Sequence, residues 1–126
     1  MKRLTDKTCV ITGAARGIGA AIAARFLKEG ATVILTDKDE TTLTETATKL
    51  SATALRLDVE REEDWAALAA AHPAIDVLVN NAGITGFESD ARPHDPEHAS
   101  LEDWRAVHRV NLEGTSIGRA AGREGV

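Results

Sequence analysis

Short apolar runs and stretches of helical period alternate along the first eighty residues. Residues 8–12 form a near-continuous apolar run, the pattern of a strand whose sheet is covered on both faces. Beyond it Ile18, Ile22 and Phe26 recur at i, i+4 and i+8 among alanines 20, 21, 23 and 24, which predicts an amphipathic helix stopped by Gly30. A second strand is expected over 32–36, followed by Asp37. Leu43, Ala47 and Leu50 give 40–50 a helical period, weakened by its threonines. A third strand, 54–57, runs into Asp58-Val59. Acids open the next helix, 62–71, with Trp65, Leu68 and Ala69 facing inward, and Pro73 ends it before a fourth strand over 75–79.

Strand and helix in strict alternation imply a parallel sheet with right-handed crossovers. The fold expected is α/β, a Rossmann-type doubly wound sheet that is incomplete, with about four strands in the order 3-2-1-4. Between the first strand and its helix lies Thr12-Gly13-Ala14-Ala15-Arg16-Gly17-Ile18-Gly19. Glycines here let the backbone turn sharply and approach a ligand, and the helix start beyond offers N–H groups and a positive dipole end to a pyrophosphate. The spacing Gly-x-x-x-Gly-x-Gly differs from the general Gly-x-Gly-x-x-Gly fingerprint, and a plain glycine-rich turn packing strand on helix is the alternative. Asp37 stands 18 residues beyond Gly19, at the end of the second strand. An acid there accepts hydrogen bonds from adenosine ribose hydroxyls and repels a 2′-phosphate, which favours NAD over NADP; the alternative is a turn-forming aspartate before Lys38-Asp39.

Composition narrows the partners. A formal charge of -5 with no basic stripe disfavours nucleic acid and anionic membranes. No run approaches the length of a membrane span, and residues 1–7 lack a signal-peptide core, so a cytoplasmic protein is expected. The one cysteine, Cys9, falls inside the first strand and reads as a small core residue.

Asn80-Asn81-Ala82-Gly83, taken with Thr12-Gly13, Gly17-Ile18-Gly19, Asp58-Val59 and Val110-Asn111, resembles the short-chain dehydrogenase/reductase family over about residues 5–115. The resemblance implies a nicotinamide cofactor at the C-terminal edge of the sheet, with Gly13, Gly17, Ile18 and Gly19 at its pyrophosphate. It implies Asp37 at the adenosine ribose, Asp58 and Val59 around adenine, and Asn80, Asn81, Ala82 and Gly83 beside the cofactor's ribose. Arg16 occupies a loop position that basic residues favour in phosphate-preferring members, and Asp37 opposes that preference. The resemblance further implies hydride transfer between nicotinamide and a secondary alcohol or ketone, and a homo-oligomer for a full-length member.

The remainder is less regular. Residues 84–99 form a long polar loop with Pro93 and Pro96, a length usually tied to function or disorder. Pro96 separates His94 from His98 and argues against a helical metal pair, so no metal site is expected. Ser100-Leu101-Glu102-Asp103 is a capping-box start, and Trp104, Val107 and Asn111 at i, i+3 and i+7 place Asn111 on the face of core residues. By resemblance Asn111 belongs to a catalytic tetrad with a serine, a tyrosine and a lysine; the alternative is a polar residue near a helix end at Gly114. The sequence contains no tyrosine, so the general acid of that mechanism is missing. With an irregular tail over 114–126, the chain reads as one domain, the amino-terminal cofactor-binding part of such an enzyme, inactive alone and prone to self-association. A non-catalytic dinucleotide-binding module or an unstable remnant are the alternatives.

Overall fold

The computed structural model describes residues 2–83, 102, 105 and 108–114. The expected loop over 84–99, its histidines, the capping box at 100–103 apart from Glu102, Trp104, Val107 and the tail beyond Gly114 lie outside them. Within them the elements alternate as β1 (Thr8–Ile11), α1 (Gly17–Lys28), β2 (Thr32–Asp37), α2 (Glu40–Leu50), β3 (Thr53–Arg56), α3 (Glu62–Ala71) and β4 (Val77–Val79). The four strands pair in parallel in the order β3-β2-β1-β4, the order expected from the sequence. Strand ends differ from the expected ones by one or two residues, and β4 is shorter than 75–79 because pairing with β1 spans only Cys9–Ile11 against Val77–Val79.

Helices cover both faces, and side-chain alternation along the strands divides the core. Cys9 and Ile11 of β1 join Val33 and Leu35 of β2, Ala23 of α1, and Leu43 and Ala47 of α2. Val10 and Ile34 point the other way, to Trp65 and Leu68 of α3 and to Val110. That two-sided burial explains why β1 and β2 read as unbroken apolar runs. Trp65 is buried and its indole N–H donates to the carbonyl of Val59 at 3.0 Å, which anchors the segment after β3.

Local signals set the helix ends. At the end of α1, Ala31 donates to Phe26 and Gly30 to Leu27, both at 3.1 Å, with Gly30 at φ +91°. This paired closure needs a left-handed residue, which glycine supplies without strain. Asp39 caps α2 by accepting from the Thr42 N–H at 3.2 Å. The exposed Thr44 and Thr48 of that helix donate to carbonyls one turn back, so their hydroxyls are satisfied without the core. No described helix is long and apolar enough to cross a membrane.

Two expectations are corrected. Ile18 is 74% exposed rather than packed with Ile22 and Phe26, because α1 begins at Gly17 and Ile18 overhangs the sheet edge from its first turn. Asn111 is exposed rather than turned to the core, while its neighbour Val110 is buried. Residues Arg109–Gly114 form a π-helical turn, whose wider spacing moves an i, i+7 residue off the face that an α-helix would give it.

Candidate functional site

The loops after the C-terminal ends of all four strands converge on one cleft of about 510 Å³. Helix α1, which follows β1, packs on one face of the sheet, and α3, which leads from β3 into β4, packs on the other; doubly wound sheets open their crevice where the crossovers change face in this way. Gly13, Arg16 and Ile18 line it from the first loop, Asp37, Lys38 and Asp39 from the second, and Leu57, Asp58 and Val59 from the third. Asn81, Ala82 and Gly83 close it beyond β4, together with Val110.

The first loop is built around Thr12, which is 1% exposed. Its hydroxyl accepts the N–H groups of Asn81 and Ala82, each at 3.0 Å, and donates to the Val79 carbonyl at 3.4 Å. Asn81 replies through its side-chain amide, which donates to the Gly13 carbonyl at 3.2 Å. The segment after β4 is therefore locked onto the first loop, and this accounts for two glycines. A Cβ at Gly13 would stand 2.8 Å from Ala82 Cα, and one at Gly19 would stand 2.6 Å from Asn81 Nδ2 and overlap the Gly13 carbonyl. Gly17 is different: its φ is +63° and a Cβ there would meet nothing within 4 Å. Of the loop's three glycines, only Gly17 has open space beside it.

Helix α1 starts at that open point. Its N-cap residue, Arg16, makes no side-chain cap and no acid lies in its first turn, so among the described residues neither device offsets the leading N–H groups and the positive dipole end. The second loop braces the first from the side. Asp37 accepts the Ala15 N–H at 3.1 Å through Oδ2 and the Asp39 N–H at 3.0 Å through Oδ1. Thr46 of α2 donates to the Ala15 carbonyl, so both sides of that residue are held. Arg16 forms an ion pair with Asp39 and donates to the Thr42 hydroxyl at 3.2 Å. The Thr42 backbone N–H, the Thr42 hydroxyl and then Arg16 hold the Asp39 carboxyl below its ordinary range.

The third loop is fixed by local bonds. The Asp64 carboxylate accepts the Asp58 N–H at 2.8 Å, and Asp58 accepts the Glu60 N–H at 3.0 Å. Beyond the cleft's end, a Cβ at Gly83 would be 3.0 Å from Asn111 Oδ1, which sets that amide beside Gly83.

Of the residues singled out in the sequence, Gly13, Arg16, Ile18, Asp37, Asp58, Val59, Asn81, Ala82 and Gly83 line the cleft. Gly17 and Gly19 shape the loop without lining it, Asn111 lies at its border, and Asn80 is exposed outside the lining. The sequence reading missed Lys38, Asp39, Leu57 and Val110 in the wall and Thr46 behind it. The signal for Asp39 was present as an N-cap three residues ahead of Thr42; nothing local marks Thr46.

Comparison with known proteins agrees with this layout. Residues 7–122 match the short chain dehydrogenase family. The chain is 41% identical to glucose 1-dehydrogenase 2 of Bacillus subtilis (strain 168), covering 95% of this chain and 48% of that protein. It is 36% identical to L-fucose dehydrogenase of Bos taurus, over 90% of this chain and 42% of that one. Among solved structures, 3-ketoacyl-(acyl-carrier-protein) reductase from Brucella melitensis complexed with NADH superposes with a TM-score of 0.80 at 33% identity, over 93% of this chain and 48% of that chain. The chain thus spans about half the length of these relatives. A parallel sheet in this order, a glycine loop interlocked with the turn after β4, and a match over nearly its whole length assign the chain to the short-chain dehydrogenase family of oxidoreductases.

Proposed function

We propose that this chain is the dinucleotide-binding half of an NAD-dependent short-chain dehydrogenase that moves hydride between nicotinamide and a secondary alcohol or ketone. The observation that carries the reading is that one cleft is lined both by Arg16 and Ile18, which flank Gly17 at the acid-free start of α1, and by Asp37. The first suits a pyrophosphate and the second a ribose diol. Gly13, Gly17, Ile18 and Gly19 would hold the phosphates, with Asp58 and Val59 at the adenine and Asn80, Asn81, Ala82 and Gly83 at the nicotinamide ribose. The bound cofactor would supply the hydride acceptor or donor. Asn111, beside Gly83, would orient the reacting end from the cleft's border.

NAD is favoured over NADP because the Asp37 carboxylate lines the cleft, where it can accept from ribose hydroxyls and would repel a 2′-phosphate. The reading includes a cytoplasmic protein, a small-molecule alcohol or ketone for the longer form, and self-association of this chain along β4, which ends the sheet among the described residues. Isothermal titration of the purified chain with NAD tests it. Saturable binding at roughly micromolar affinity is expected; a flat titration by a chain with helical circular dichroism would sink the proposal.

A non-catalytic nucleotide-binding module is the second reading, favoured by the absence of tyrosine from all 126 residues. It requires that NAD binding be retained and that no longer form of the protein add turnover.

A further inference from the structure

The first and second loops of the cleft bring two cations, Arg16 and Lys38, together with two anions, Asp37 and Asp39. Arg16 is the residue whose planar guanidinium matches a phosphate dianion best. Yet it is turned to Asp39, with a second bond to Thr42. The pair is not a fold element: Arg16 is 68% and Asp39 40% exposed, and exposed pairs add little to stability. Asp39 meanwhile divides its two oxygens between tasks, Oδ1 accepting the Thr42 N–H that caps α2 and Oδ2 meeting Arg16. The cap needs only an acceptor; the contact with Arg16 needs the charge.

Resting on the dinucleotide reading above, we propose that Asp39 is a specificity-determining residue: by engaging Arg16 it withdraws the guanidinium from a phosphate at the ribose 2′ position. Cofactor choice is then set by two carboxylates acting differently. Asp37 meets the ribose directly, whereas Asp39 acts through Arg16. A 2′-phosphate can recruit Arg16 only by competing with a carboxylate already in place, and the ionised state of Asp39, held by Thr42 and Arg16, keeps that competitor present at neutral pH.

The substitution Asp39→Asn separates the two tasks, since the amide oxygen still accepts from Thr42 while the charge is gone. Titrations of the parent chain, Asp39→Asn, Arg16→Ala and the double variant with NAD and NADP form a cycle. The ratio of NADP to NAD affinity should rise on the order of tenfold in Asp39→Asn, a size fitting one charge-assisted bond. The rise should vanish in the double variant, and Arg16→Ala alone should move the ratio far less than it does in the Asp39→Asn background. An unchanged ratio in Asp39→Asn overturns the proposal, as does a rise that survives removal of Arg16, which would assign the effect to the field of Asp39 itself. Equal effects of Arg16→Ala in both backgrounds also overturn it, because Arg16 would then be available with Asp39 present. If Asp39→Asn loses its helical spectrum, Asp39→Ser carries the same arms with another capping side chain. Failure of the parent to bind either nucleotide overturns the dinucleotide reading itself, and this proposal with it, and is recognised by silence in every arm.

Discussion

The carboxylate of Asp37 accepts the backbone N–H of Ala15 at 3.1 Å, so the acid at the end of β2 holds the loop that opens α1. Asp37 therefore has two effects to lose. Replacing it by alanine should weaken NAD and NADP together through a looser loop, and should weaken NAD further by about 1–3 kcal/mol for the lost ribose contacts. Calorimetric titration of both nucleotides checks this. Equal affinities in the parent chain would remove the assignment, and an equal loss for both in Asp37→Ala would leave Asp37 a loop brace only.

Thr12 gives a prediction about architecture. Its hydroxyl is the shared partner of the Asn81 and Ala82 N–H groups. Thr12→Val keeps the shape and removes the acceptor, at a cost of about 1–3 kcal/mol for the Ala82 N–H, since the Asn81 N–H keeps the Val79 carbonyl. Thr12→Ser should keep most of the stability. Urea midpoints of the two variants decide the point, and equal midpoints would show that the hydroxyl holds nothing.

Much of the architecture was legible because burial on both faces leaves a plain mark. Val10 and Ile34 face one core cluster while Cys9, Ile11, Val33 and Leu35 face the other, so β1 and β2 appear in the sequence as unbroken apolar runs. The parallel pairing followed from alternation with helices, and the order of the strands from the phosphate loop at the first turn. What the sequence hid depends on partners far along the chain. A glycine that makes room for a ligand and one that makes room for Asn81, 68 residues away from Gly13, look the same in a motif. Ile18 matched the helical period of Ile22 and Phe26, but a period cannot say that the helix begins one residue earlier and leaves the first turn overhanging a cleft. Asn111 failed for a similar reason, since a π-helical turn breaks the count on which its inward placement rested.

Cys9 is fully buried, and burial first, then the nearby Asp76 carboxylate, push its thiol above the ordinary value of 9.0. The folded state therefore favours the protonated thiol. Its contribution to stability is complete below pH 9.0 and is lost as the pH rises through the higher folded value. No tyrosine ionises in that range, so an alkaline loss of stability should be smaller in Cys9→Ala relative to that variant's own neutral value. A thiol reagent at pH 8 should label the native chain slowly and the urea-unfolded chain fast; fast native labelling would contradict the burial.

The last prediction is that this chain alone turns over no alcohol or ketone at a rate resembling a full-length family member. Binding and chemistry are separable here. The open loop at Gly17 and the acid at Asp37 can position a nicotinamide nucleotide, but neither can give a proton to, or take one from, a substrate oxygen. Asn111 is exposed beside Gly83, and an amide does not serve as the acid. A positioned acid or base contributes on the order of 10²- to 10⁴-fold, and substrate-orienting walls contribute more through proximity. The chain covers about half the length of its relatives, so both contributions are expected from sequence that those relatives have in addition. The measurement is nicotinamide absorbance with a panel of secondary alcohols, for the 126-residue chain beside a form extended through a Tyr-x-x-x-Lys segment. The extended form should be faster by at least the acid–base factor, with NAD affinity similar in the two. Comparable rates would mean that this chain holds its own proton donor, and His108, one turn before the Asn111 segment, would be the first residue to replace by glutamine.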